Sequence, residues 1–338
     1  MRSVRRRTAL AQFGPLELPS ILRRARPRHD VVAGVSSQMS STVDLELRRV
    51  RSDWRDNSQP VHSQPVMTSD AGIRSLTAAI AGSQGPVLVL TGAGISAASG
   101  IAPFRGADPQ AIWNRDVTEI ATARYFAGDP VHAWQWFLER FARTLTAEPN
   151  AAHVATAALE RWHTERRREF LLVTQNVDTL HERAGSSKFV KVHGSADRAR
   201  CSSPVCPTAK TLTVPMSELN LDRFLQRPAV DTIPRCEGCG AFMRPHVLWF
   251  EEAYDSHPSF QWPLIESMSK RMAVLLAVGT SFSVGVTSYL LIASQQRGVP
   301  VLVVDPAPRV SAPTAHVEHV RGPAEELLPA FVAALEKS

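Results

Sequence analysis

The stretch VLVLTGAGISA, residues 87–97, decides the fold of this chain. Its first four residues are wholly apolar, which is typical of a short strand buried on both faces of a parallel sheet. The residues that follow match the pattern G-x-G-x-x-G/A, in which the first glycine permits a tight turn and the second lets the backbone approach a pyrophosphate. The small residue Ala97 allows close helix packing. The stretch therefore predicts a strand, a phosphate-binding turn and a helix.

Similar short apolar runs recur along the chain, at Phe170–Val173, Ala273–Val278 and Val299–Val304. Helical patterns alternate with them: a helix from an N-cap at Asp70 to Ala81, then Pro130–Leu145, Ala151–Arg168 and Ala324–Leu335. Strands that alternate with helices predict an α/β fold built on a doubly wound, parallel, Rossmann-like sheet.

The four cysteines of the chain form two close pairs, Cys201-x4-Cys206 and Cys236-x2-Cys239. This spacing is typical of a structural zinc site, in which four thiolates fill the tetrahedron and leave no position for a catalytic water. Two disulfides or four unrelated thiols are the alternatives. No secretory signal is recognised, so we expect a reducing, cytoplasmic location, which favours zinc. The cysteines lie in Ser195–Met243, which breaks the strand–helix alternation and is interpreted as a small inserted zinc ribbon.

These patterns divide the chain into a disordered, Arg-rich tail (1–68), a Rossmann-like nucleotide-binding domain (69–194 and 245–338) and a four-cysteine insert (195–244). The tail contains twelve Arg against six acidic residues, which accounts for the whole net charge of +6. Because the remainder is neutral, nucleic-acid binding is not expected except through the tail. No run approaches the roughly 18 apolar residues of a membrane span, so no membrane partner is expected. The oligomeric state stays open.

A dinucleotide site of the ordinary Rossmann type requires an acidic residue about 20 positions after the glycine turn, to bind the ribose. Asp116 and Glu119 lie at that distance, but nothing in the sequence places them at the end of a strand. The interpretation as an ordinary dehydrogenase is therefore incomplete.

Several motifs occur together in one order: GAGIS at 92–96, GI-x-x-FRG at 100–106, TQNVD at 174–178, HG at 193–194, the four cysteines, and GTS at 279–281. In this order they resemble the sirtuins, the NAD-dependent protein lysine deacylases, and in particular the bacterial members. The resemblance covers about residues 71–335. It implies an enzyme that transfers the acyl group of a modified protein lysine to ADP-ribose, with release of nicotinamide and O-acyl-ADP-ribose. It also implies NAD as cofactor and one structural zinc ion.

The resemblance implies His193 and Asn176 as catalytic residues. The implied NAD contacts are Gly92, Ala93, Gly94, Ser96, Phe104, Arg105, Gln175, Asn176, Asp178, Gly279, Thr280, Ser281 and Asp305. Asn176 and Asp178 together supply the donor and acceptor that a nicotinamide carboxamide needs. In isolation, the same residues would be interpreted as an Asx turn that ends a strand.

Only its motif distinguishes His193 from the other ten histidines of the chain, since a histidine near neutral pKa at a strand end is a sound general base. Packing, capping or surface roles are expected for most of the others, among them His132, His153, His163, His181 and His246.

The acylated lysine is expected to contact Phe137, Arg140, Val247, Trp249 and Phe250. Sirtuins that remove succinyl or malonyl groups carry Tyr-x-x-Arg, whereas this chain has Phe137-x-x-Arg140. We therefore expect a preference for simple acyl groups, with desuccinylation or demalonylation as the alternative. Two further departures are Ala102-Pro103, which displaces a proline by one position, and Glu251, which stands where glycine is common. Mono-ADP-ribosyl transfer and a non-enzymatic zinc-ribbon binder remain the alternative functions.

Overall fold

The computed structural model describes residues 66–67, 69–102, 115–282, 284–307 and 316–338, and two sheets organise them. The strands, in chain order, are β1 (Val66–Met67), β2 (Val87–Thr91), β3 (Phe170–Thr174), β4 (Phe189–Lys191), β5 (Gly194–Cys201), β6 (Val214–Pro215), β7 (Met243–Val247), β8 (Val274–Val278), β9 (Val301–Asp305) and β10 (Val317–Arg321). The larger sheet has the order β1-β10-β9-β8-β2-β3-β4, and all its neighbouring strands are parallel. The predicted parallel α/β sheet is confirmed.

The described helices are α1 (Ser69–Gly82), α2 (Arg115–Ile120), α3 (Ala123–Gly128), α4 (Pro130–Thr146), α5 (Ala151–Glu165), α6 (Leu180–Arg183), α7 (Asp222–Gln226), α8 (Trp262–Ser269), α9 (Gly285–Arg297) and α10 (Ala324–Leu335). Short 3-10 turns occur between them, the longest at Ala93–Ser99. Helix α5 ends three residues earlier than predicted, and Arg167 just beyond it has a left-handed φ of 55°.

Helices cover both faces of the large sheet, which is why its central strands read as continuous apolar runs. Val87 and Val89 pack against α1, α5 and α10, while Leu88 and Leu90 face the side of α8 and α9. This alternation follows from the period of two along a strand. Each such fully buried side chain contributes about 1.5–3 kcal/mol through the hydrophobic effect.

The smaller sheet is antiparallel, with the order β6-β5-β7, and it carries the cysteines. Its core also includes Phe126 of α3 and Trp134 of α4, which share a cluster with Phe224 and Met243. Trp134 is fully buried and donates a hydrogen bond from Nε1 to the Met243 carbonyl at 2.9 Å. The small module is therefore completed by Phe126 and Trp134, which lie on helices before the predicted segment 195–244.

Strand β10 was not predicted, because its sequence VEHVR lacks a continuous apolar run. It lies next to the short edge strand β1, where polar side chains are tolerated, and Ser75 of α1 donates a hydrogen bond to its Glu318. The predicted tail lies outside the described residues, apart from Val66 and Met67, which form β1. None of the described helices has the length and apolar character needed to cross a bilayer.

Candidate active site

Three turns meet at the carboxyl edge of the large sheet, where β2, β3 and β8 end side by side. The Gly92 N–H donates to the Val278 carbonyl at 3.0 Å, and the Gln175 N–H donates to the Thr91 carbonyl at 3.0 Å. From β2 the chain builds the sheet towards β3 and β4 on one side, while β8, β9 and β10 lie on the other. Open α/β sheets bind ligands at such a point, where the strand order reverses.

The turns after β2 and β8 touch through their glycines. A Cβ atom built on Gly94 would lie 2.7 Å from Gly279 Cα, and one built on Gly279 would lie 2.5 Å from the Ile95 nitrogen. Gly279 also has a left-handed φ of 57°. The Gly94 N–H donates to the Gly279 carbonyl at 2.9 Å. The neighbouring turn therefore already requires glycine at 94, and the approach of Gly94 to a pyrophosphate stays a prediction.

Asn176, Asp178 and Ser96 form one buried hydrogen-bonded group. The Asn176 amide nitrogen donates to the Gly92 carbonyl and to Ser96 Oγ, both at 3.1 Å. Ser96 Oγ donates to Asp178 Oδ2 at 2.9 Å, and Asp178 Oδ1 accepts the Leu180 N–H at 3.1 Å. Both Asp178 oxygens thus have protein partners, while Asn176 Oδ1 has none among the described residues. In this arrangement Asp178 organises the loop, and Asn176 retains an acceptor for a ligand amide.

Two buried histidines lie behind this group. His153 Nε2 is 3.4 Å from Ser96 Oγ, and its Nδ1 accepts the Asn150 N–H at 3.3 Å. The His181 ring lies 4.8 Å from the His153 ring, and its Nε2 is 3.1 Å from Thr91 Oγ1. Burial lowers the pKa of His153 to about 4, against the opposing effect of Asp178, and lowers that of His181 well below its ordinary value. Both rings are therefore neutral near pH 7, as expected for packing and capping residues.

His193 follows the edge strand β4 and is half-buried. Its Nδ1 lies 2.9 Å from the Gln175 carbonyl oxygen, which makes Nδ1 the donor and leaves Nε2 as the acceptor. Burial lowers the pKa of His193 to about 4, and the hydrogen bond to Gln175 opposes that effect. The imidazole is thus neutral at physiological pH, in the tautomer that a general base needs.

The predicted adenosine-side residues follow β8 and β9. Gln175 Nε2 donates to Thr280 Oγ1 at 3.0 Å and joins the β3 turn to the β8 turn. Ser281 is exposed, and Asp305 ends β9 with Oδ1 accepting the Ala307 N–H at 2.8 Å. Phe104 and Arg105, also predicted to contact NAD, lie outside the described residues.

The residues predicted to contact the acylated lysine separate into two groups. Phe137 and Val247 share an apolar cluster with Val177, which lies between Asn176 and Asp178. Arg140, one turn after Phe137, is half-buried, with its guanidinium 5.6 Å from the Trp136 ring centroid.

Trp249 belongs instead to the core of the small module, with only 8% of its surface exposed. Its ring packs against Phe126 at 5.4 Å, and the Arg244 guanidinium lies 3.5 Å from its centroid. The Trp249 side chain therefore has a packing role, and the contact of residue 249 with the acylated peptide stays a prediction. The Phe250 side chain, by contrast, is half-exposed.

Sequence reasoning missed the role of Glu252, which clamps the segment after β7. It accepts hydrogen bonds from Arg200 of β5 at 2.7 Å, from Arg244 of β7 at 2.8 Å and from the Trp249 N–H at 2.9 Å. The backbone of this segment in turn reaches the site, because the Leu248 N–H donates to the His193 carbonyl at 2.9 Å. An acidic residue after an aromatic strand end was the available signal, but its two partners lie 8 and 52 positions away.

The four cysteine sulfurs all lie within 4.8 Å of one another, and none forms a disulfide. Cys201 and Cys239 are 3.5 Å apart, and Cys206 and Cys236 are 4.0 Å apart. A zinc ion bound tetrahedrally about 2.3 Å from each sulfur would separate them by about 3.8 Å. The donor set therefore fits zinc, and no other cluster of three or more such ligands occurs in the described ranges.

Comparison with known proteins supports the arrangement of these motifs. Residues 92–286 match the model of the Sir2 family. NAD-dependent protein deacylase 1 of Archaeoglobus fulgidus is 35% identical over 253 residues, which cover 75% of this chain and 94% of the relative. An NAD-dependent protein deacylase of Methylococcus capsulatus is 36% identical, covering 75% and 93%. The mitochondrial NAD-dependent protein deacylase sirtuin-5 of Canis lupus familiaris is 33% identical, covering 73% and 81%.

Solved structures of Sir2 homologues also superpose on this chain over most of its length. A complex of a Sir2 homologue with NAD is 33% identical and superposes with a TM-score of 0.64 over 78% of this chain and 94% of the other. A mutant Sir2 homologue in complex with ADP-ribose is also 33% identical, with a TM-score of 0.65 over 78% and 96%.

Proposed function

The chain belongs to the Sir2 family, and from this membership we propose how its site carries out NAD-dependent deacylation of protein lysines. In the proposed reaction the acyl group passes from lysine to ADP-ribose and nicotinamide is released, which agrees with the 2'-O-acetyl ADP-ribose complex of a Sir2 homologue that is 32% identical. The observation that carries the proposal is the hydrogen bond from His193 Nδ1 to the Gln175 carbonyl. It holds a neutral imidazole beside the polar group of Asn176 and Asp178.

The residues present at the carboxyl edge fit NAD. The turns after β2 and β8 meet at this edge through their glycines, the Asn176 side-chain oxygen stays available to accept from a carboxamide, and Gln175 and Thr280 line the same edge. Asp305 and Ser281 extend this edge towards the adenosine side. The chemistry that bound NAD supplies is an electrophilic ribose carbon with nicotinamide as its leaving group.

The protein's contribution to that chemistry is positioning and proton transfer. Asn176 holds the nicotinamide end, and Ser96 and Asp178 fix the orientation of Asn176 through the hydrogen bonds described above. With NAD bound, His193 would accept a proton at Nε2 from a ribose hydroxyl and so would make that oxygen available to receive the acyl group. The lowered pKa of His193 keeps Nε2 unprotonated throughout the physiological range, and it also makes this imidazole a weaker base than the near-neutral histidine that the sequence suggested.

The acylated lysine enters beside the apolar cluster of Phe137, Val177 and Val247. An aromatic ring without a hydroxyl at position 137 supports a preference for acetyl and other simple acyl groups. Arg140, one helical turn after Phe137, supplies a cation for an acidic acyl group but the tyrosine hydroxyl is missing, so succinyl and malonyl groups are expected to react with lower efficiency.

The zinc ion has a structural role, because four thiolates complete its coordination. The ion pairs of Glu252 with Arg200 and Arg244, together with the cysteine site, hold the small module against the segment 247–250. The four unpaired thiols support a cytoplasmic location.

The test is an assay of NAD consumption with acetylated peptide for the native chain and for His193→Ala. We expect at least a hundredfold loss of deacylation, with NAD affinity and zinc content unchanged. His163→Gln is the matched control, since His163 is fully buried in α5, away from the carboxyl edge. Deacylation that persists in His193→Ala would contradict the assigned base. ADP-ribose that stays covalently on protein, without O-acyl-ADP-ribose, would indicate ADP-ribosyl transfer instead.

The acyl preference is tested on one peptide that carries acetyl, propionyl, succinyl or malonyl lysine. We expect the highest kcat/KM for the uncharged groups. Arg140→Gln should lower the residual succinyl activity and leave acetyl activity within about twofold. A native preference for succinyl over acetyl would overturn this part of the proposal.

A further inference from the structure

The ring of Tyr254 lies against the imidazole of His193. The two ring centroids are 5.9 Å apart and the planes differ by 21°. The same tyrosine stacks on Trp262 at 4.8 Å and 15°, and Trp262 contacts Tyr289 at 4.9 Å. The assigned histidine is thus the end of a row of aromatic rings, a role that no sequence motif indicated.

Tyr254 is held in place from two directions. Its hydroxyl oxygen accepts the Val286 N–H at 3.1 Å, in the first turn of α9. Gly285 lies directly against the ring, because a Cβ atom built there would be 3.2 Å from Tyr254 Cε2. Helix α9 begins just after the turn of Gly279–Ser281, so the tyrosine connects the segment after β7 to the carboxyl edge. A ring with these contacts has little freedom to rotate or withdraw.

The charged side chains on the elements around His193 have partners of their own. These pairs are Lys191 of β4 with Glu182, Asp178 with Ser96, Asp197 of β5 with Ser195, Arg198 of β5 with Thr213, and Glu252 with Arg200 and Arg244. None of them shifts the pKa of His193, which burial lowers and the Gln175 carbonyl raises. A charge that develops on the imidazole therefore meets the Tyr254 ring and the Gln175 carbonyl. The face of an aromatic ring attracts a cation within about 6 Å of its centroid.

We propose that Tyr254 is a positioning residue for His193: its ring fixes the plane of the imidazole and stabilises the imidazolium that forms when Nε2 accepts a proton. The inference rests on the proposed role of His193 as general base. It concerns the step after nicotinamide has left, because only that step charges the ring.

The experiment compares Tyr254→Phe with Tyr254→pentafluorophenylalanine, which keeps the shape of the ring and reverses the charge distribution on its face. Tyr254→Phe is the reference, because both variants lack the hydroxyl that accepts the Val286 N–H. Relative to Tyr254→Phe, the fluorinated variant should lose about three- to tenfold in kcat, which corresponds to the usual strength of a cation–π contact. Exchange of labelled nicotinamide into NAD precedes the proton transfer, so it should stay within about twofold in both variants.

Equal deacylation rates in the two variants would overturn the inference. A parallel loss of exchange and deacylation in the fluorinated variant would also overturn it, since that pattern indicates disturbed packing. His193→Ala separates this inference from the proposed function. If His193→Ala is inactive while the fluorinated variant is unaffected, only the role of Tyr254 fails. If His193→Ala stays active, the assignment of the base fails first.

Discussion

At the scale of single residues, glycine at two positions decides whether the turns after β2 and β8 can meet. Gly94 and Gly279 lie so close that a methyl group on either would overlap the backbone of the other turn. The motif GAGIS predicted a turn, but the partner of that turn is 185 positions further along the chain.

Gly279→Ala is expected to weaken NAD binding at least tenfold and to lower the free energy of unfolding by about 2–4 kcal/mol, from the left-handed backbone and the overlap together. Isothermal titration with NAD and denaturant unfolding would measure the two effects. Gly298→Ala is the matched control, because Gly298 has a φ of 62° but a built Cβ there meets nothing within 4 Å. Gly298→Ala should lower the free energy of unfolding by only about 1–2 kcal/mol and leave NAD affinity unchanged. Equal effects at both positions would contradict the packing argument.

The lowered pKa of His193 predicts an unusual pH dependence of the deacylation rate. The base must be neutral to accept a proton, and burial lowers its pKa to about 4. Deacylation should therefore not decline through the ordinary histidine range near pH 6.5, and the loss caused by protonation of His193 should appear only as the pH falls towards 4. Initial rates of kcat/KM between pH 4.5 and 8, on enzyme first shown to regain full activity at pH 7.5, would check this. An acid limb near 6.5 in such reversible data would contradict it.

At the scale of secondary-structure elements, one carboxylate joins β5, β7 and the segment that follows β7. Glu252 neutralises one of two buried arginines, whose side chains are 6% and 4% exposed. Removing one partner of a buried ion pair is far more costly than losing a surface pair, because the remaining charge stays desolvated.

Glu252→Gln is expected to lower the free energy of unfolding by about 3 kcal/mol, since both guanidinium groups then lack a counter-charge. It should also raise the KM for acylated peptide, because Val247–Phe250 loses its anchor. Glu251→Gln is the control: Glu251 is exposed, and the amide keeps an oxygen for the Ala123 N–H. Denaturant unfolding and peptide kinetics on both variants would measure the difference. Equal free energies of unfolding for the two variants would show that the ion pairs of Glu252 with Arg200 and Arg244 do not stabilise the fold.

At the scale of the whole molecule, the cysteine site stabilises a module with little core of its own. Its antiparallel strands are short, and one of them, β6, has only two residues. Since a closed thiolate site contributes folding energy directly, chelation of zinc should unfold this module first.

Treatment with a strong zinc chelator is expected to release one zinc per chain and to abolish deacylation. NAD should retain measurable affinity, because the carboxyl edge belongs to the large sheet. Cys236→Ser should reproduce this result, whereas Cys239→Asp should retain partial zinc binding, since carboxylates also bind zinc. A chromophoric assay would measure the release of zinc, and calorimetry would measure the remaining affinity for NAD. Full activity of a zinc-free chain would contradict a structural role.

Buried neutral histidines make global stability dependent on pH. Burial lowers the pKa to about 4 for His153, His163, His193 and His257, and to about 2 for His246, where neighbouring arginines add to the effect. In the unfolded chain each takes up a proton near pH 6.5. Their contribution to stability is therefore complete above about pH 6.5 and is lost as the pH falls from 6.5 towards 4.

Denaturant unfolding between pH 4.5 and 8, with zinc retention followed in parallel, should show this decline. His163→Gln should reduce the slope of unfolding free energy against pH by about one proton below pH 6.5. An unchanged slope in His163→Gln would show that this ring does not stay neutral in the folded chain.

Much of the fold was accessible from the sequence because its signals are local. Four apolar runs became β2, β3, β8 and β9, and the cysteine spacing predicted the cluster of four sulfurs. The motifs that follow these strands lie close together, because parallel strands present their carboxyl ends at one edge of the sheet. Strand β10 was not predicted, because a strand near a sheet edge needs no continuous apolar run.

The sequence by itself thus determined the layer architecture, the ligand set of the metal site and the edge at which Asn176, Asp178 and His193 gather. Tertiary structure alone decided the pairing of Gly94 with Gly279, the sharing of Glu252 between two arginines and the stacking of Tyr254 on His193. The physical reason is the distance along the chain over which each kind of signal acts. Periodicity and spacing act over a few residues, whereas these contacts join positions up to 185 apart and exist only once the strands have packed.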